Sequence, residues 1–390
     1  MNKKDVSTRN RIIVILLMLL CSAALIVVAM LLRGKGEKAG SLENGAADPD
    51  SDRTDGTYSD AGGTYGFAMG STISVRLYGE DAEACQREAI DAVKELDRKV
   101  ISWREEGSEL AEWNRTAKAG TDVKLSRTLG DALDRSLELS DTSDGALDIT
   151  LRPVLEVWGI EEATPDDFRV PSEQELKAAG AKTGTADLRL TGSRMAQDGE
   201  GSKKNEEAEY ALARSREDII LDLGSVGKGY ALDVVYDNLQ GRSLSGGVIA
   251  VGGSIMVYGS RGDGREFRVG IRDPEGLPED ILGYITFASG TGKQCISTSG
   301  GYEKYIEKDG VRYHHIIDPK TLRPAESDLI SVTVICGNGL LSDGLSTACF
   351  ILGEERAVKL LRKYEAEGVF VRRDGSVIST PGIEKQVVLQ

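Results

Sequence analysis

Three short stretches of this sequence gather residues able to handle a charged ligand. The first is Leu221-Asp222-Leu223-Gly224-Ser225-Val226-Gly227-Lys228-Gly229, a strand-like run that ends in a glycine-rich turn and opens a helix. Such a turn offers backbone N–H groups and the positive end of a helix to an anion, with Lys228 as a point charge. It is not a P-loop, because Asp222 stands where the first glycine of that pattern belongs and Gly229 where a hydroxyl residue would hold magnesium. The second stretch, Ser342-Asp343-Gly344-Leu345-Ser346-Thr347, reads as a helix start with Ser342 as N-cap. Asp343, Ser346 and Thr347 stand at i, i+3 and i+4, so their oxygens share one face. A carboxylate with hydroxyls is a partial hard-oxygen set for Mg²⁺, which keeps several waters and takes phosphate ligands from its substrate. The third stretch, Tyr313-His314-His315-Ile316-Ile317-Asp318-Pro319, holds the chain's only two histidines. Neighbours on a strand point to opposite faces, so at most one of them addresses a given pocket. Each stretch also has a plain structural reading, as a tight turn, a helix cap and a hydrogen-bonding strand residue.

These residues need a scaffold. Thr72–Tyr78 alternates apolar and polar residues as a half-buried strand does, and Ile90, Val93, Leu96 and Val100 recur at helical spacing within Asp81–Val100. A second amphipathic helix starts at an expected N-cap, Ser126, while Ile101–Leu110 between the two fits neither period. Further strands are expected near 219–223, 247–251, 267–271, 283–287 and 331–335, with helices near 228–239, 343–352 and 354–364. Without regular βαβ spacing, this order predicts an α+β fold of mixed, largely antiparallel sheets with packed helices. Residues 161–217 are rich in Glu, Lys, Gly, Ala and Ser and contain a solvated surface insertion around 199–209, without chemistry.

Bulk properties narrow the function. A formal net charge of -15 with no basic cluster after the first forty residues excludes non-specific nucleic-acid binding. Five cysteines with no C-x-x-C pair, beside two histidines, exclude a Cys/His zinc site and predict buried free thiols. Ile12–Leu32 is apolar apart from Ser22 and long enough to span the ~30 Å hydrocarbon core of a bilayer. Lys3, Lys4, Arg9 and Arg11 precede it, which predicts a cytoplasmic N-terminus and a body outside the cytoplasm, although Arg33, Lys35 and Lys38 reduce the bias. An uncleaved anchor is favoured over a lipidated Cys21, since Leu20 stands where a lipoprotein signal has a small residue. Residues 1–33 are thus expected to be stub and anchor, 34–62 a flexible linker too poor in apolar residues to order itself, and 63–390 the functional body.

In this order the pieces resemble the ApbE-type FAD:protein FMN transferases. The carrying motifs are Met69-Gly70-Ser71, Ile101-Ser102-Trp103, Asp144-Gly145-Ala146-Leu147-Asp148, Asp222–Gly229, Thr298-Ser299-Gly300-Gly301-Tyr302, His315-Ile316-Ile317-Asp318-Pro319 and Ser342–Thr347, spread from Tyr65 to the C-terminus. The resemblance implies that FAD, as substrate, contacts Met69, Trp103, the Ala146-Leu147-Asp148 segment, Asp222, Lys228 and Ile317. It implies Mg²⁺ on the carbonyl of Ser225 and on Asp343 and Thr347, with Ser346 beside them, and it favours His315 over His314 as the catalytic base. The reaction would cut the FAD pyrophosphate, release AMP and attach FMN to a Ser or Thr hydroxyl of an acceptor protein, with membrane electron-transfer subunits as the implied acceptors. Gly301, Ser254 and Leu322 depart from the family pattern and bear on loop geometry and acceptor preference. Two other readings keep parts of this site: an Mg²⁺-dependent FAD pyrophosphatase using water as nucleophile, and a surface flavin binder without chemistry.

Overall fold

The computed structural model describes residues 58–60, 63–192, 210–277 and 279–390. The apolar stretch Ile12–Leu32, nearly all of the expected linker, and residues 193–209 with the expected insertion lie outside the described residues. Among the described residues no helix is long and apolar enough to cross a membrane.

A hairpin of β2 (Gly63–Ala68) and β3 (Ser71–Gly79) opens the body after the short strand β1 (Tyr58–Asp60). Its two-residue turn, Met69-Gly70, has φ of 53° and 65°. Positive φ at both central positions is the I′ conformation, whose twist matches that of the flanking strands. Strands β4 (Val123–Leu125), β5 (Leu188–Thr191) and β6 (Tyr210–Arg214) form a small sheet in the order β4-β6-β5. The main sheet adds β7 (Leu244–Val251), β8 (Ser254–Gly259), β11 (Thr291–Gly300), β16 (Leu329–Cys336), β17 (Glu367–Arg372) and β18 (Val377–Ser379), in the order β1-β2-β3-β7-β8-β11-β16-β17-β18. Strands β9 (Phe267–Arg272), β10 (Ile281–Phe287) and β19 (Val387–Leu389) form a third sheet in the order β19-β10-β9. The hairpins β12 (Tyr305–Lys308) with β13 (Val311–His314) and β14 (Ile317–Asp318) with β15 (Arg323–Pro324) complete the set. Every described pairing is antiparallel, as the expected fold class requires.

The central strands are buried on both faces, and consecutive residues feed different cores. Met256, Cys295, Val334 and Phe370 join the large core under the helices. Their neighbours Val257, Ile296, Ile335 and Val369 join a second core beneath the β19-β10-β9 sheet. The helices are α1 (Ala82–Leu96), α2 (Glu109–Thr116), α3 (Arg127–Thr142), α4 (Arg152–Trp158), α5 (Glu173–Gly180), α6 (Gly227–Asn238), α7 (Gly339–Leu352) and α8 (Glu354–Lys363). Ser126 caps α3 by accepting from Leu129 N, as its sequence predicts.

Four local expectations are corrected. The first concerns α1, which ends at Leu96 and passes into a π-helical turn, Asp97–Ile101. The extra residue per turn shifts the helical phase, so Ile101 is buried and Val100 is half-buried. That shift is why Ile101–Leu110 matches no single period. The extended run Ile219–Leu223 joins no sheet: Asn114 brackets Leu221 N and O at 2.8 and 2.9 Å, and Asp222 N donates to Ile149 O. Helix α7 starts before Ser342, because Asn338 Oδ1 caps Leu341 N at 2.9 Å and Ser342 Oγ donates to Gly339 O. The segment 161–217 around the expected insertion, which itself lies outside the described residues, is partly core. Tyr210 and Leu212 are fully buried, and Phe168, Leu176 and Ala179 pack against Trp158, Ile306 and Ile317. The described cysteines, Cys85, Cys295, Cys336 and Cys349, are free and buried, as expected.

Candidate active site

Two glycines set the distance between the two most chemically loaded helices. A Cβ on Gly229 would sit 2.0 Å from Gly339 O, and one on Gly339 would sit 2.0 Å from Gly229 O. Helices α6 and α7 therefore cross backbone to backbone, and the buried Asp343 carboxylate accepts from Gly229 N at 2.9 Å. Lys228 Nζ lies 3.9 Å from the same oxygen. Asp233 fixes the register by accepting from Gly339 N and Leu340 N at 2.7 and 2.9 Å, and it pairs with Lys293 at 2.6 Å. Burial pushes the Asp343 carboxyl above its ordinary range, against the pull of Lys228 and the Gly229 N–H.

Asp343 and Lys228 open on a cavity of about 540 Å³. Ser225 and Thr347 line it as well, so a carboxylate, a hydroxyl and a turn with backbone carbonyls border the same cavity. Among the described residues no three His, Cys, Asp or Glu side chains gather as a metal cluster. The oxygen donors present fit a hard cation such as Mg²⁺ completed by water and phosphate, and they do not fit zinc. Ser346 does not join them. It is fully buried, and its hydroxyl donates to Asp343 O at 2.8 Å and meets Ser299 Oγ at 2.8 Å. The i+3 position inside a helix lets a serine hydroxyl bond back to its own helix, which turns that oxygen away from the cavity.

The turn residue Met69 lies on the cavity wall with its N–H held by Asp97 Oδ2 at 2.8 Å. That bond ties a strained hairpin position to the π-helical turn. Trp103 follows the turn and also lines the cavity, with the guanidinium of Arg152 3.5 Å and that of Arg104 4.5 Å from its ring centroid. Ala146, Leu147 and Asp148 come in after the left-handed pair Asp144-Gly145. Asp148 accepts from Thr150 N and Oγ1 at 2.7 and 2.6 Å, and burial raises its carboxyl. Asp222 accepts from Gly224 N at 2.8 Å, lies 3.7 Å from Arg152, and is raised by burial too. Ile317 is buried at the far wall.

The two histidines face opposite ways. His315 lines this cavity, while His314 lines a second cavity of about 650 Å³ and donates from Nε2 to Ala325 O at 3.1 Å. His315 Nδ1 lies 3.1 Å from Lys304 O. A carbonyl only accepts, so Nδ1 carries the proton and the Nε2 lone pair is the basic one. Burial pulls His315 down to about 4, so it is neutral at physiological pH even though its edge opens on the cavity.

Sequence reasoning missed six charged cavity residues, among them Asp97, which holds Met69 N, and Arg104, which packs on Trp103. Glu161 bridges Arg104 and Lys304 at 3.0 Å each; burial opposes its ionisation, but these two cations hold its carboxyl low. Glu303 and Arg272 also line the wall. Lys304 supplies the carbonyl that orients His315. None sits in a glycine-rich or helix-start pattern, and only the flanking motifs Thr298–Tyr302 and Ile101–Trp103 mark the neighbourhood of three of them.

The sequence model of the ApbE family matches residues 69–370. The FAD:protein FMN transferase of Vibrio cholerae is 31% identical over 298 residues, which cover 75% of this chain and 82% of that protein. The FAD:protein FMN transferase of Treponema pallidum is 31% identical over 335 residues, 82% of this chain and 87% of its own. Among solved structures, the flavin transferase ApbE from Vibrio cholerae superposes with a TM-score of 0.66 at 27% identity, over 83% of this chain and 97% of that one. The ApbE protein of Thermotoga maritima superposes with a TM-score of 0.69 at 25% identity, over 85% and 99%.

Proposed function

Because this chain belongs to the ApbE family, we propose that it is an FAD:protein FMN transferase that cuts FAD at its pyrophosphate and moves FMN to a Ser or Thr hydroxyl of an acceptor protein, releasing AMP. The observation that carries this reading is that one cavity is lined both by Lys228, Asp343, Thr347 and Ser225 and by a neutral histidine with a free basic nitrogen.

Lys228, steadied by Asp343 and by its 3.5 Å contact with Gly224 O, presents positive charge where a pyrophosphate would lie. Met69, Trp103 and the Ala146-Leu147-Asp148 segment form the wall suited to the flat flavin and its polar edge. His315 Nε2 would take the proton of the attacking hydroxyl, and the Nδ1–H bond to Lys304 O keeps that tautomer in place. Mg²⁺, held by Asp343, Thr347 and the Ser225 carbonyl, would neutralise charge on the phosphate oxygens.

The reading extends to location. The apolar Ile12–Leu32 and the basic residues before it support a membrane anchor, or a lipidated Cys21, with the transferase body outside the cytoplasm. The acceptor would then be a membrane electron-transfer subunit facing the same compartment.

To test the activity, the chain is incubated with FAD, Mg²⁺ and a candidate acceptor, and flavin fluorescence is read in a denaturing gel. The expected result is a fluorescent acceptor band that disappears with EDTA. AMP and free FMN without a band, across acceptors, would refute the transferase in favour of a hydrolase. Intact FAD throughout would refute both.

A further inference from the structure

The cations that line the cavity are not equivalent. Lys228 leans on Asp343, and Arg104 and Lys304 share Glu161. Among the described residues Arg272 enters no ion pair, and its buried Nε has no hydrogen-bond partner. An unpaired guanidinium in a protein wall is costly unless something compensates it. Here the Tyr302 ring supports it from 5.1 Å away, and the Glu303 carboxyl on the same wall attracts the guanidinium without closing to an ion pair.

That support is built deliberately into the backbone. A Cβ on Gly300 would lie 2.3 Å from the Tyr302 ring, so glycine is what lets the ring lie there. The Tyr302 hydroxyl is engaged by the buried Ser331. Arg272 itself ends β9, whose Phe267, Val269 and Ile271 are locked into the second core. The guanidinium is thus presented by a rigid strand from a different sheet than the one beneath Lys228, and Glu303 feels both cations from the same cavity.

We infer that Arg272 is a further catalytic residue, whose guanidinium binds the phosphate that departs with AMP. This rests on the transferase reading. In the step concerned, the acceptor hydroxyl oxygen attacks the FMN-side phosphorus and its proton passes to His315 Nε2. The bond from that phosphorus to the bridging oxygen breaks, and AMP leaves with the electron pair on that oxygen. The new negative charge appears on the AMP phosphate. A planar fork of donors that enters no ion pair among the described residues matches a phosphate bidentately, as Lys228, already engaged by Asp343, does not.

The test is calorimetric binding of AMP and of FMN, each with Mg²⁺, to the full chain, its Arg272→Gln variant and its Arg272→Lys variant, with AMP release from FAD followed alongside. Expected are AMP binding about 10- to 100-fold weaker in Arg272→Gln, an intermediate loss in Arg272→Lys, and FMN binding within about twofold of wild type. Equal AMP affinity in all three proteins, or a loss confined to FMN, overturns the assignment. The Lys variant, with the charge kept and unchanged circular dichroism, separates a lost contact from misfolding. A wild type that releases AMP while Arg272→Gln binds AMP unchanged sinks only Arg272's role. A wild type that binds FAD yet never releases AMP sinks the transferase reading and that role with it.

Discussion

The crossing of α6 and α7 makes a severe prediction for Gly229→Ala. The added methyl would lie 2.0 Å from Gly339 O, 2.6 Å from its carbonyl carbon and 2.7 Å from Asp343 Cβ, where ordinary contact begins at 3.4 Å. Two of these neighbours are backbone, so no side chain can swing aside and the helices must part by more than an ångström. Overpacking of this kind costs about 1–3 kcal/mol. Parting also stretches the 2.9 Å bond from Gly229 N to the buried Asp343, which adds roughly 1–3 kcal/mol. Together they amount to about 2–6 kcal/mol, or a melting point lower by on the order of 3–9 °C for a body of this size. Differential scanning calorimetry would measure it, with Gly262→Ala as control, since a Cβ there meets nothing within 4 Å and its backbone is not left-handed. AMP release from FAD should fall with stability, because Asp343 and Lys228 are positioned by that same crossing. A Gly229→Ala protein that melts and turns over like the control would refute the backbone-contact reasoning.

Other outcomes follow from the site. Since His315 must be neutral to accept a proton and is pulled down to about 4, kcat/KM should be flat from pH 6 to 8 with respect to this group and fall with unit slope below about 4. His315→Ala should retain FAD binding and lose transfer; wild-type turnover in that variant removes it from the mechanism. Asp343→Asn should abolish transfer yet leave the fold as stable or more stable at pH 7. A carboxyl raised by burial binds its proton more tightly when folded, so its contribution to stability falls as pH rises above the unfolded value. A thermal melt at about pH 4, the unfolded carboxyl value, and at pH 8 checks the sign: the wild type should lose more between them than Asp343→Asn.

What could be read from the chain depended on whether a residue's role was local. The antiparallel α+β character, the Ser126 cap and the convergence of Met69, Trp103, Asp222, Lys228, His315 and Asp343 on one cavity come from patterns contained in a few residues each. The strand expected at Ile219–Leu223 failed because its apolar run is satisfied by Asn114, about a hundred residues away in sequence. Ser342 lost the cap to Asn338, a residue equally fit for the position and four earlier. Ser346 shares spacing with Thr347, but spacing says nothing about which way a hydroxyl turns. Arg272 and Glu161 reach the cavity from a separate sheet and from a segment that looked merely polar, so no window of sequence contains their partners.

The strand Val387–Leu389 is the edge of the β19-β10-β9 sheet, with Ile285 facing Val387 and Gln386 O accepting from Thr286 N at 2.9 Å. Strand β10 in turn holds β9 along its length, from Phe287 opposite Phe267 to Ile281 opposite Arg272. Shortening the chain before Val387 would therefore leave β10, the strand that holds the Arg272 strand in place, as an unprotected edge. An affinity tag joined directly to Gln390 would load this edge, and through β10 the strand that presents Arg272.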